Sequence, residues 1–202
     1  MDCNPSGVNR RGRHPARLLP AVAAAFLAAC SPGPEGVFRA YIKALNAHDI
    51  DKVISLHAEE FALREAGGGE ALTRNDLHYL LGWDAAMGGS YEFKNLRREG
   101  DKLAVTLIES NRFYEALGVD KRHINVAFRF KDGLIVEETL GSITDQGRPF
   151  DAAFRDFAIW VGREHAGAMP KLTRDGRFVF SSETAPHWLP ILEDWRRRRA
   201  GA

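Results

Sequence analysis

The chain has 202 residues, 28 Lys or Arg against 27 Asp or Glu, and 45% hydrophobic residues. That composition supports a packed apolar core and argues against the basic surface with which a nucleic-acid binder neutralises phosphates. The only two cysteines, Cys3 and Cys30, both precede the predicted globular region, so neither an internal disulfide nor a cysteine metal site is expected.

The first element is a leader. Arg10, Arg11, Arg13 and Arg17 precede a short apolar run that ends in Leu27-Ala28-Ala29-Cys30. A basic segment, an apolar segment and small residues at the end form the pattern of a secretory signal. The run is too short to span a bilayer as a mature helix. Leu-Ala-Ala-Cys resembles the lipobox of bacterial lipoproteins. That resemblance implies removal of residues 1–29 and lipidation of Cys30, which tethers the protein to a membrane facing the periplasm or the exterior. Ser31 after the cysteine favours, by the same resemblance, the outer membrane of a Gram-negative cell. Arg196 to Arg199 form a basic C-terminal run read as a solvated end, with contact to anionic head groups as the alternative.

Residues 30–35 read as a linker, because Pro32, Gly33 and Pro34 interrupt regular structure. Val37, Tyr41, Ala44 and Leu45 recur at helical spacing and predict a helix over 36–47. Asp49 is placed to cap a second helix carrying Ile50, Val53, Ile54 and Leu56. Gly67 to Gly69 mark a loop. Thr73 with Asp76 has the form of a capping box for a third helix with Leu77, Leu80, Leu81 and Ala85, which Gly88-Gly89 ends. The period then changes to two. Leu103, Val105 and Leu107 form one apolar strand face; Ile124, Val126, Phe128 and Phe130 form another; Leu134, Val136 and Leu140 a third. Lys131-Asp132-Gly133 reads as the hairpin turn. Phe150, Phe154, Phe157 and Val161 mark a later helix, residues 176–180 a short strand, and Pro190 to Arg199 a closing helix. The expected fold is α+β: an antiparallel sheet with three N-terminal helices packed on one face, over 36–146, and a helical extension over 147–202 packed on it.

Residues 37–61, with Ala44-Leu45-Asn46-Ala47-His48-Asp49 ending one helix and Leu56-His57-Ala58-Glu59-Glu60 following the next, resemble the opening of the ketosteroid-isomerase-like, or nuclear transport factor 2-like, superfamily. Phe128-Arg129-Phe130, the hairpin and the Val136 strand are similar to its last two strands. The resemblance implies a curved antiparallel sheet wrapped like a cone round the three helices on its concave face, with an apolar pocket inside. It also places Tyr41 on the family's oxyanion-donating tyrosine and Glu65 on its carboxylate base. The family's protonated aspartic acid falls on Val126, so half of the oxyanion hole is replaced.

Two acids compensate by parity. Glu109 continues the Leu103 face and Glu138 lies between Val136 and Leu140, so both carboxyls point to the apolar side. A three-residue turn pairing Phe130 with Leu134 sets Glu138 opposite Val126. A desolvated carboxyl in that place can donate or shuttle a proton. Trp83, Glu109, Val126 and Phe128 are the expected ligand-lining residues, and Tyr41, Glu65 and Glu138 the candidate proton-transfer groups. The histidines lack ligand spacing, so no metal and no cofactor is expected. Three readings follow: a lipid-anchored domain that binds a small apolar ligand or offers an assembly surface; an enzyme using Tyr41 with Glu65 or Glu138; and a structural envelope factor with a filled cone. The membrane, a small ligand and a second copy paired through the sheet are the expected partners; nucleic acid is not.

Overall fold

The computed structural model describes residues 33–201. The leader, Cys30 and the first linker residues lie outside them. Helix α1 spans Pro34–Asn46, so the linker is shorter than its prolines suggest. Pro34 occupies the first helical position, where its missing N–H has no intrahelical partner to lose. Phe38, Tyr41, Ile42 and Leu45 form the buried face of α1. Asp49 caps α2 (Ile50–Ser55) by accepting from the Lys52 N–H at 3.0 Å.

The chain then turns into β1 (His57–Glu65), followed by β2 (Leu72–Thr73), helix α3 (Leu77–Met87), β3 (Ser90–Glu99) and β4 (Lys102–Ser110). Helix α4 (Arg112–Leu117), β5 (Val119–Lys131) and β6 (Leu134–Gly147) complete this part. The six strands make one curved sheet in the order β2-β1-β6-β5-β4-β3, antiparallel except for the β1–β6 pair. The Asp76 carboxylate accepts from both the N–H and the hydroxyl of Thr73, at 2.7 Å each. This is the reaching-back half of the capping box. Gly88 ends α3 in the left-handed conformation, with φ +69°. Asn46 clamps β3 to the end of α1: its side chain accepts from the Tyr91 N–H at 2.7 Å and donates to the Tyr91 carbonyl at 2.9 Å. These bonds satisfy edge-strand groups that would otherwise stand open.

The hairpin differs from expectation. Lys131 pairs with Leu134, and Asp132-Gly133, with φ +53° and +78°, is a two-residue turn. Both positive φ values are what a type I′ turn requires. A bulge beyond it shifts the register once more, so Phe128 faces Glu138 and Val126 faces Leu140. The expected pairing of Val126 with Glu138 is therefore corrected. Glu138 still points inward, because the bulge restores the parity that the shorter turn alone would have inverted.

The extension comprises α5 (Phe150–Glu164), a 3-10 turn (Ala166–Ala168), α6 (Met169–Leu172), a small ribbon of β7 (Thr173–Arg174) and β8 (Arg177–Phe178), and α7 (Ala185–Ala200). Helix α7 begins five residues before Pro190, which it carries in its interior. Two apolar clusters result. One joins Phe38, Tyr41, Val53 and Phe61 to Leu103, Val105, Val126, Phe128 and Ile135 of the sheet. The other joins Trp83 and Met87 of α3 and Phe113 and Leu117 of α4 to Phe157, Trp160, Trp188 and Trp195 of the extension. The extension thus shares a core with the helices at one end of the sheet. Among the described residues no helix is long and apolar enough to cross a membrane.

Candidate functional site

The concave face of the sheet buries a row of ionisable groups. His57 is the first residue of β1, just past the end of α2. Its Nδ1 lies 2.8 Å from the Val53 carbonyl, which also accepts from the Leu56 N–H at 3.1 Å. A carbonyl only accepts, so Nδ1 carries a hydrogen. The other ring nitrogen, Nε2, lies 3.0 Å from Oε1 of Glu138, and both residues are buried, at 2% and 4% exposure. That contact requires one proton between the two atoms. The pair is either imidazole with carboxylic acid or imidazolium with carboxylate, and the two forms differ only in where that proton sits. Phe61 packs edge-on against the imidazole at 4.4 Å and Tyr41 at 5.5 Å, which holds the ring plane.

Tyr41 reaches the same carboxyl from α1. Burial pushes its phenol well up, and the charge of Glu138 and a hydrogen-bond interaction with it add to the effect. The phenol therefore stays protonated and serves as a donor. Tyr41, Glu138 and His57 line up from phenol to carboxyl to imidazole to the Val53 carbonyl, with the hydrogen bonds of His57 joining the last three.

A second group continues the row. Glu109, on β4 opposite Tyr91, has its carboxyl raised from 4.5 to about 7. Burial is the main cause and the charge of Asp84 adds to it, while Arg122 and Tyr114 pull it down. Asp84, on α3, is itself raised by burial, against stabilising contributions from Tyr91, His48 and Asn111. Asn111 caps α4 by accepting from the Tyr114 N–H at 2.9 Å, and its amide faces Glu109 at 3.4 Å. The charges of Asp84 and Glu109 also reach the Tyr41 and Tyr91 phenols. Arg122 closes this end. It donates to Asp145 at 2.9 Å, faces the Tyr114 hydroxyl, and lies 4.5 Å over the Phe150 ring at the start of α5.

Glu109 predicts a pH effect. Burial favours its neutral form, so its contribution to stability is full below the unfolded value of 4.5 and is lost as the pH rises to about 7. Glu109→Gln keeps the shape and removes the ionisation. The variant is expected to match wild type at pH 4 and to gain about 2–3 kcal/mol at pH 8. Urea unfolding at the two pH values checks this.

The sequence-derived candidates separate accordingly. Tyr41 and Glu138 converge, with Phe128 as the apolar wall 5.6 Å from the Tyr41 ring. Glu109 lies on the same face in the second group, and Val126 is buried in the core beneath. Glu65 does not join: it is exposed at the end of β1, paired with Leu140, where nothing desolvates its carboxylate. Trp83 is not a ligand wall here but core, packed edge-on against Phe113, Phe180 and Trp188. His57, Tyr91, Asn111, Tyr114 and Arg122 were not foreseen, because their roles depend on strand pairings that no local spacing announces.

The space around the row is small. A recess of about 10 Å³ lies beside Asp84, between Leu45, His48, Ile50, Val53 and Leu81. That is room for about one water molecule. A much larger recess, about 760 Å³, lies on the outer face of the sheet over Ala104, Thr106, Asn125, Ala127, Thr139 and Gly141.

A family model described as a SnoaL-like domain matches residues 38–138. No curated protein matches the chain. Among solved structures, it is similar to an NTF2-like protein of unknown function from Cytophaga hutchinsonii, 12% identical over 55% of this chain and 88% of that one, with a TM-score of 0.42. It is also similar to IdmH from Streptomyces antibioticus, provisionally named a polyketide cyclase, 17% identical over 56% and 91%, with a TM-score of 0.46. A Kribbella flavida protein provisionally named a ketosteroid isomerase is 20% identical over 56% and 78%, with a TM-score of 0.44.

Proposed function

The chain belongs to the SnoaL-like domain family, and on that premise we propose that its cone carries an acid–base site that moves a proton on a small ligand, held at a membrane by a lipid on Cys30. The observation that carries the chemical part is the Tyr41–Glu138–His57 chain. Carboxyl and imidazole share a buried hydrogen bond with the phenol set against the carboxyl, and the pair beyond the phenol holds one relocatable proton. Such an arrangement presents a donor to a developing oxyanion and a neighbouring group that takes or returns a proton. A domain selected only to fold would fill this space with apolar side chains, since buried carboxyls are costly.

A second reading has its own observation. The recess beside Asp84 holds about 10 Å³, which favours a closed scaffold whose buried polar row specifies the packing. The two readings differ in whether the mouth between the α1–α2 turn and α3 admits a molecule. Native mass spectrometry of the protein purified from its own membrane separates them: the acid–base reading expects a retained small molecule, the scaffold reading a bare polypeptide.

The anchor rests on the basic segment, the apolar run and Leu27-Ala28-Ala29-Cys30. Cys30→Ala is expected to abolish labelling by a fatty-acid probe and to release the protein from the membrane fraction. An unlabelled wild type that stays membrane-bound would contradict it.

A further inference from the structure

Asp84 is over nine-tenths buried, and its Oδ1 has no hydrogen-bond partner. Unpartnered buried carboxylate oxygens are costly and rare. The backbone makes room for this one. Gly89, just past the end of α3, lies against the carboxylate so closely that a Cβ there would collide with it. Tyr91 and Asn111 lie close enough to favour the carboxylate form; Oδ1 is left beside a recess walled by Leu45, Ile50, Val53 and Leu81, with His48 also lining it.

Two further observations bear on what that oxygen meets. Asp84 and Glu109 repel each other within the same interior, with only the charge of His48 acting to offset this at Asp84. Arg122 is engaged by Asp145 and Tyr114, and Arg112, at the end of α3, by the Met87 and Ala86 carbonyls. A group that added positive charge at Oδ1 would relieve both carboxyls, whereas a neutral hydroxyl would satisfy only one oxygen. Outside the recess, Leu80 is 38% exposed one turn before Asp84 on α3, beside partly buried Leu81, which with Ile50 lines the recess. The mouth therefore offers an apolar collar leading to an acidic seat.

We infer that Asp84 is the seat of a protonated amine carried on an apolar tail, so that the molecules this domain takes are alkyl- or arylalkylammonium compounds. The inference rests on the ligand-site reading above and narrows it. The ammonium donates to Oδ1, the Asp84–Glu109 repulsion is offset, and the tail lies outside the recess over Ile50, Leu80 and Leu81. Nothing in this arrangement favours a carboxylate ligand, which would meet two acids.

Thermal melts of the full chain in a non-ionic detergent test it, with hexylammonium, 1-hexanol, hexanoate or potassium chloride added at matched ionic strength. Hexylammonium is expected to raise the Tm by about 3–5 °C at tenfold its Kd, with the other three additives giving no comparable shift. Asp84→Asn is expected to fold, since it removes a buried charge, and to lose the response. A shift from 1-hexanol equal to that from hexylammonium would overturn the amine while leaving a ligand site in place. An equal shift from potassium chloride would mean a bare cation and also overturn it, as would binding of hexanoate. A response that survives Asp84→Asn would move the seat elsewhere. No response to any organic probe would overturn this inference together with the ligand-site reading.

Discussion

Trp188→Ala is expected to lower stability by about 3–5 kcal/mol and to melt the sheet domain and the extension together. Trp188 is fully buried. Its rings lie 5.4 Å from Trp83, 5.7 Å from Phe113, 6.0 Å from Phe157, 5.3 Å from Phe178 and 5.0 Å from Phe180. Its indole N–H donates to the Val179 carbonyl at 3.1 Å. Truncation therefore opens a cavity among aromatic rings from several segments and strips a carbonyl of its donor. The surrounding rings are held by their own helices, so the cavity collapses only in part. Trp83 and Phe113 belong to α3 and α4, which also carry or adjoin Asp84, Asn111 and Glu109. Damage in the extension thus reaches the end of the polar row. Calorimetry is expected to show a single transition lowered by about 10 °C, with Trp188→Phe recovering much of the loss. Two separate transitions would show that the extension is an independent unit.

Breaking the buried pair is the second large effect. His57→Ala and Glu138→Ala are each expected to cost about 3–5 kcal/mol, because each leaves the other group desolvated without a partner. Glu138→Gln is different. Its amide donates to Nε2 of a neutral imidazole and its carbonyl accepts from Tyr41, so the hydrogen-bond count is preserved. The expected cost is under about 1.5 kcal/mol. Guanidinium unfolding at pH 7 separates these cases. If Glu138→Gln were as damaging as Glu138→Ala, the pair would depend on full charge separation and not on a shared proton.

Much of this architecture was legible because it follows from local spacing. The face of α1 came from the recurrence of Val37, Tyr41, Ala44 and Leu45, and the inward parity of Glu109 from Leu103, Val105 and Leu107. The cap at Asp49 and the stop at Gly88 came from single-residue chemistry. What escaped depends on pairing between distant strands. Strand β1 was missed because His57 to Glu65 alternates weakly and pairs in parallel with β6, nearly eighty residues on. The partner of Glu138 could not be read, since a two-residue turn and a bulge together decide which residue faces it. Trp83 illustrates the converse. An aromatic residue on a helix beside a predicted pocket reads equally as wall or core, and only the folding-back of α7 decides for core.

The central claim is that the Tyr41–Glu138–His57 chain moves protons on a molecule admitted to the cone. Deuterium uptake from D2O at the α-carbon of an enolisable apolar ketone, 2-tetralone, measures this directly by NMR. The account predicts exchange above the buffer rate with the wild-type protein, reduced at least about tenfold by Tyr41→Phe and by Glu138→Gln, while both variants keep their fold. Exchange at the buffer rate with wild type, or exchange that Glu138→Gln leaves unchanged, would contradict it.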